Sequence, residues 1–226
     1  KLYNYPKTVR SSIDGVRKYD VDDEKLPSVT TILQATQDAE KAESLKRWVE
    51  RVGETEAERI KNTAAKRGTA MHSYLETYIQ GGKVLDLRDV GREASSMAET
   101  IIEKGFGDLE EVWGSEVTLF YPNLYAGATD LCGIYQGRES IIDFKQSNKP
   151  KKAEWIGDYK LQMVAYAMAH NCVYGTGIEQ GVILMCTPDN LFQKFTINGR
   201  EFRELKWEWL KRVDQYYVTN KSQSVA

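Results

Sequence analysis

The stretch Leu124-Tyr-Ala-Gly-Ala-Thr-Asp130-Leu-Cys-Gly-Ile-Tyr135-Gln-Gly-Arg-Glu-Ser-Ile-Ile-Asp143-Phe-Lys145 holds two β-type runs, 124–135 and 139–145, joined by the short turn Gln136-Gly137-Arg138. With Gly137 and Arg138 as the central turn residues, antiparallel pairing sets Asp130 opposite Lys145 and Cys132 opposite Asp143. Directly opposed residues share a face, and strand period two puts Asp143 and Lys145 on one face and Ile142 and Phe144 on the other. Both carboxylates and the ammonium therefore converge, whereas a slip of one residue would scatter them. Diagonal neighbours on such a ladder lie roughly 7 Å apart, a gap that two carboxylates close around one hard cation. That is the geometry of a Mg²⁺ or Mn²⁺ site, with coordination positions left for a phosphate oxygen and an attacking water. Lys145 would then neutralise the phosphate, or orient that water and help deprotonate it. Asp-x-Lys triplets are common on solvated hairpins. Here the company is apolar: Ile141, Ile142 and Phe144 flank Asp143, and Ala126-Gly127-Ala128 precede Asp130. Acids inside apolar strands need a partner or a metal.

Outward from this hairpin, a third β-type run, 112–121, precedes it. A helix at about 154–173, strands near 178–186 and 191–197, and an amphipathic helix at about 200–217 follow. The residues before the strands are helical in texture: a run from Ser28, then Ala39 to Val52, Glu54 to Ile79 with Gly81-Gly82 as the stop, and Arg92 to Lys104. In residues 1–27, Tyr and Val alternate with charge around a turn at Asp14-Gly15, which suits a hairpin packed on the outside. The expected fold class is α/β, a single domain over 1–226. It would comprise an N-terminal hairpin (1–27), a helical region (28–107) and a core (108–226) whose mixed central sheet is flanked by helices.

Its 226 residues, 41% of them hydrophobic, suffice for one well-cored domain. Lys plus Arg number 31 against 33 Asp plus Glu, a formal charge of −2, so no global attraction to a polyanion exists and any nucleic-acid surface must be local. Cys132, Cys172 and Cys186 are far apart and lack CxxC spacing, which predicts no disulfide partner, no zinc or iron–sulfur site, and a reducing, intracellular setting. No apolar run approaches the roughly 18 residues of a membrane span, and the opening residues KLYNYPKTVR lack an apolar signal core. The first residue is not Met, which leaves room for a trimmed N-terminus.

A second group of candidates lies outside the hairpin. His72 and Glu76 share a helical face at i, i+4, and Gly68, Thr69 and Ala70 one turn earlier fit a helix pressed close to another backbone, bringing the imidazole toward the sheet as a metal ligand. Glu116 alternates with Val117 and Leu119 on the first strand, where a solvent-facing glutamate is an equally good reading. Trp155, Tyr159, Gln162 and Tyr166 recur at i, i+4, i+7 and i+11, and a buried Gln162 amide would need hydrogen-bond partners. Lys145, Lys149, Lys151, Lys152 and Lys160, against Glu154 and Asp158, form a basic segment able to follow a phosphate backbone. The stretch 46–67 is likewise basic, although a solvated helix laced with i, i+4 pairs explains it as well.

In order, G-T-x-x-H-x-x-L-E, E-V, G-A-T-D, I-I-D-F-K-Q-S and Q-x-x-x-Y resemble the RecB-like branch of the PD-(D/E)XK nucleases, and within it the small stand-alone exonucleases of phages and of mitochondrial genome maintenance. Pro27-Ser-Val-Thr-Thr-Ile-Leu and Leu45-Lys-Arg-Trp48 are similar to the same family's N-terminal part, so the likeness runs from about Leu26 to Tyr217. The resemblance implies a restriction-endonuclease-like core. It implies His72, Asp130 and Asp143 as metal ligands with the Phe144 carbonyl as a fourth, Lys145 as the catalytic lysine, Gln162 and Tyr166 as the Q-x-x-x-Y pair, the first in catalysis and the second contacting DNA, and Glu116 as a catalytic acid of the first core strand. It further implies Mg²⁺ or Mn²⁺ and a DNA substrate, single-stranded or with a free end, cut by attack of water on phosphorus. A helical passage for the strand would be lined by Lys46, Arg47, Trp48 and Arg67, and a helicase or single-strand-binding protein is a possible partner. The setting would be the cytoplasm of an infected bacterium if phage-encoded, or the mitochondrial matrix if eukaryotic. Where the family has Thr or Ser after the lysine, this chain has Gln146, expected to point away from the metal face. Two rivals remain: a structure-specific endonuclease on the same core, and a catalytically inactive nucleic-acid-binding module.

Overall fold

A computed structural model describes residues 3–5, 9–13, 16–21, 24–82 and 89–223. Strands β4 (Leu109–Tyr121), β5 (Tyr125–Tyr135), β6 (Arg138–Gln146), β7 (Gly181–Cys186) and β8 (Phe192–Ile197) form one sheet in that order. Neighbours are antiparallel except β6 and β7, which run parallel because helix α5 (Gly157–Tyr174) carries the chain back across the sheet. Helices α3 (Glu54–Ile79) and α4 (Asp89–Gly105) cover one face, packing Met71, Leu75, Met97 and Ile101 on Leu131, Ile142, Phe144 and Leu184. The other face packs Ile141 and Ile183 under α5, α1 (Val29–Ala35) and α6 (Gly199–Gln223), with Ile32, Val164, Phe202 and Trp209. This is the expected mixed sheet flanked by helices.

Local chemistry explains the boundaries. Ser28 caps α1 by accepting the Thr31 N–H at 3.0 Å. Gly53, at φ +87°, separates α2 (Ala39–Val52) from α3, a conformation that a residue with a Cβ rarely adopts. Both helices fall where the sequence predicts them. Helix α2 buries no side chain. No described helix is long and apolar enough to cross a membrane.

At the N-terminus, β1 (Val9–Ile13), β2 (Val16–Val21) and β3 (Glu24–Pro27) form an antiparallel sheet of three strands, one more than a hairpin. Tyr19, Val21 and Leu26 press on Ala126 of β5, and this apolar contact accounts for the third strand. The expected turn at Asp14-Gly15 lies outside the described residues.

The central hairpin differs from the expected register. Tyr135 pairs with Arg138 and Leu131 with Ile142, so Gln136 and Gly137 are the turn's central residues. Both have positive φ, 50° and 71°, as a type I′ turn demands, and its second central position favours glycine. Taking Gly137 first would have forced Arg138 into that region instead. The correction amounts to two residues, which preserves parity, so Asp130 and Asp143 remain on one face.

Near the C-terminal end of α5, His170 is buried, with Nδ1 2.8 Å from Thr176 Oγ1 and Nε2 3.0 Å from Tyr5 Oη, among the rings of Tyr3, Trp113 and Tyr174. Burial pushes its pKa down from 6.5 to about 4. The unfolded chain therefore takes up this proton first: the stabilisation is complete above pH 6.5 and disappears as pH falls through 4. A loss of about 3 kcal/mol over that interval is expected from this group. Urea midpoints against pH should show it, and His170→Asn should flatten that part of the profile; an unchanged profile would refute the assignment.

Candidate active site

The β5–β6 ladder ends at Leu131 and Ile142, and one step beyond it the backbone no longer pairs. There Asp130 replaces the missing strand: its Oδ2 accepts the Phe144 N–H at 2.6 Å. Its Oδ1 lies 3.1 Å from Nδ1 of His72, which α3 delivers from the opposite layer. One carboxylate thus joins sheet, strand end and helix.

Glu116 lies on β4 between the pairs Ser115–Leu131 and Val117–Thr129, hence opposite Asp130. Its φ of +48° is left-handed, a conformation costing of order 1–2 kcal/mol for a residue with a side chain. One ligand atom each from His72, Glu116 and Asp130 lies within 4.8 Å of the others, the one such group of three among the described residues.

Asp143 and Lys145 form the second half of the site. The ammonium lies 2.5 Å from Asp143 Oδ2, an ion pair at hydrogen-bonding distance. From α5, Tyr159 sets its ring 4.9 Å from Lys145 Nζ, and Gln162 brings a buried Oε1 that lacks a hydrogen-bond partner. Tyr166, also buried, lies against Gly127, where a Cβ would come 2.7 Å from its ring.

These groups perturb one another strongly. Burial would lower the His72 pKa, but the Asp130 charge and hydrogen bond outweigh it and raise it to about 9. For Asp130, burial works upward and His72 prevails, leaving the carboxyl below its ordinary value. Burial lifts Asp143 to about 6 against the pull of Lys145; Glu116 keeps an exposed side chain, and partial desolvation with the Asp130 charge lifts it to about 7. For Lys145, burial opposes the charge and Asp143 with Asp130 restores it, a net upward shift. Acids held between ionised and neutral forms near neutrality mark a site built for ions or protons.

The donor set fits a hard divalent cation: one imidazole nitrogen and two carboxylate oxygens converge, with Asp143 alongside. Asp143, a ligand in the resemblance, stands outside the converging three because it is engaged with Lys145, and Glu116 stands within it.

The candidate DNA-contacting residues scatter. Arg67 is buried, its guanidinium held by Glu93 at 2.6 Å, Asn148 at 2.9 Å and Gln146 at 3.3 Å, where it ties α3 and α4 to the end of β6. Gln146 therefore points to the α3 side, away from Lys145. Lys149 and Lys152 are exposed and Lys151 is half-buried. Lys46 and Arg47 are exposed on α2, and Trp48 is half-buried with Lys61 Nζ 5.9 Å from its ring. Trp155 leaves the expected stripe altogether: it ends a 3-10 turn, Ala153–Trp155, ahead of α5 and is exposed. Sequence reasoning did not single out Tyr159 as the lysine's neighbour, nor the Phe144 N–H as the Asp130 partner. The i, i+4 and i+7 spacing of Tyr159 marks the former, and nothing in the residue pattern marks the latter.

No family model matches the chain. It is 29% identical over 209 residues to mitochondrial genome maintenance exonuclease 1 of Homo sapiens, covering 88% of this chain and 60% of that protein. To the protein of the same name from Mus musculus it is 29% identical over 210 residues, covering 88% and 61%. The chain thus spans about 60% of the length of these curated relatives. Among solved structures, a putative exonuclease from Eubacterium rectale aligns with TM-score 0.45 at 12% identity, covering 66% of this chain and 68% of that one. An alkaline exonuclease from Laribacter hongkongensis aligns with TM-score 0.29 at 13% identity, covering 69% and 84%.

Proposed function

We propose that this chain, a relative of mitochondrial genome maintenance exonuclease 1, is a divalent-metal-dependent DNA exonuclease acting on single strands or free ends. The observation that carries the reading is the meeting of His72, Glu116 and Asp130 beside the Asp143–Lys145 pair at the open end of one hairpin. His72, Glu116 and Asp130 would hold Mg²⁺ or Mn²⁺, with Asp143 and the Phe144 carbonyl beside them. The ion would supply Lewis acidity and a water of lowered pKa. Lys145 places a buried positive charge where a phosphate oxygen gains charge during attack. Gln162 offers its free Oε1 to the attacking water, and Tyr166 fixes the helix that carries it. A strand-separating or single-strand-binding partner would present the substrate. The setting follows the source: mitochondrial matrix for a eukaryotic chain, bacterial cytoplasm for a phage one.

Digestion of linear single-stranded, linear duplex and closed circular DNA tests this directly. Linear single strands should shorten with Mg²⁺ or Mn²⁺, EDTA should stop the reaction, and circles should survive. Cutting of circles would replace the exonuclease by an endonuclease on the same core, and tight DNA binding with no cutting in any metal would leave an inactive binding module.

A further inference from the structure

Trp155 has no part in the chemistry described above, yet its position is unusual. It is 60% exposed, a large apolar surface left in water. Lys152 Nζ lies 5.2 Å from its ring. It closes the 3-10 turn that leads into α5, four residues ahead of Tyr159, whose ring lies 4.9 Å from Lys145 Nζ. The other exposed tryptophan, Trp207, belongs to α6 and has no such link to the site.

The segment that bears Trp155 is held in place although much of it faces solvent. Gln193 grips it at two points, accepting the Lys151 N–H at 2.8 Å and donating to the Lys151 carbonyl at 2.9 Å. Ser147 donates to the Lys149 carbonyl at 2.6 Å, and the Trp155 N–H returns to the Lys152 carbonyl at 3.0 Å. A fixed, exposed indole costs little further entropy when a flat ligand settles on it. Exposed Lys149 and Lys152 precede it in the chain, against Glu154 with an oxygen 3.9 Å from Lys152 Nζ.

We propose that Trp155 is a stacking platform for a nucleobase of the bound strand, at the entrance to the helix that carries Tyr159 and Gln162, with Lys149 and Lys152 on the adjoining phosphates. The inference rests on the nuclease reading and adds a binding residue to it. Base stacking on an aromatic side chain is sequence-tolerant, because every base has a π-face, and it selects strands whose bases are unpaired. The platform would thus let one site accept any sequence while favouring single strands.

The test is equilibrium binding of a labelled single-stranded oligodeoxynucleotide, in EDTA and again with Ca²⁺, to the unaltered chain, Trp155→Ala and Trp155→Phe. Trp155→Ala should bind about tenfold more weakly and Trp155→Phe within about threefold of the unaltered chain, with thermal midpoints unchanged. An abasic site moved along the oligonucleotide should weaken binding by the unaltered chain at one position and cause no further loss there in Trp155→Ala. Equal binding by Trp155→Ala, or an equal abasic loss in both proteins at every position, overturns the platform and leaves the nuclease standing. If the unaltered chain binds no single strand, both readings fall.

Discussion

Lys145→Ala should slow digestion of end-labelled linear DNA by about a thousandfold or more while DNA binding persists, since removing a preorganised charge or proton donor costs about 10²–10⁴ in rate. The ammonium lies 2.5 Å from Asp143, and among the described residues the other positive charge acting on Asp130 and Asp143 is the imidazolium of His72. Losing it would leave Asp143 without its cation beside the Asp130–His72 pair. Asp143, lifted to about 6 by burial even with its partner present, would take up a proton. The variant then escapes much of the roughly 3–5 kcal/mol that a stranded buried charge costs, so it should fold and yet have no cation for the phosphate. Lys145→Arg keeps the charge but brings a planar fork into a space shaped by Tyr159, and should rescue little. Cutting within tenfold of the unaltered chain would remove Lys145 from the chemistry.

Gly133→Ala should be the most damaging small substitution for the fold. Gly133 pairs with Val112 of β4 and Ser140 of β6, next to irregularities in β4 on both sides of Val112. A Cβ there would sit 1.9 Å from the Glu111 carbonyl oxygen and 2.9 Å from its carbon. These are main-chain atoms and cannot rotate aside, so β4 must move, and with it buried Trp113 and the strand that presents Glu116. A loss of more than about 3 kcal/mol is expected, or roughly 10 °C in thermal midpoint for a domain of this size. Gly107→Ala, where nothing lies within 4 Å of the added carbon, should stay near neutral and serves as the control. Similar midpoints for the two variants would contradict this account of the β4 irregularities.

Much of this architecture is legible in the residues because local rules dictated it. Gly53 and Gly81-Gly82 punctuate α2 and α3 where the pattern predicts, and Ile142 and Phe144 against Asp143 and Lys145 sort the two faces of β6. The hairpin register was not legible to the residue, since two adjacent turn placements share parity and only the φ requirement at Gln136 and Gly137 separates them. The third N-terminal strand depends on a tertiary contact with Ala126, and the left-handed backbone of Glu116 on its surroundings, so neither leaves a local trace. Trp155 has the spacing of a helical stripe, but the 3-10 turn ends one residue before the helix can include it. Arg67 carries the charge expected of a DNA contact, while its burial follows from Glu93 and Asn148, far away in sequence.

The bond from Asp130 to the Phe144 N–H has a further consequence for ion choice. With Oδ2 accepting the Phe144 N–H and Oδ1 beside His72 Nδ1, each Asp130 oxygen has one acceptor direction already in use, which would disfavour bidentate ligation of an ion. Calcium accepts bidentate carboxylates and crowded shells, whereas magnesium asks for single oxygens in octahedral array and keeps its waters. Were the proposed divalent ion bound, the sheet would thus limit the denticity of Asp130, a constraint that suits the smaller ion better than the larger.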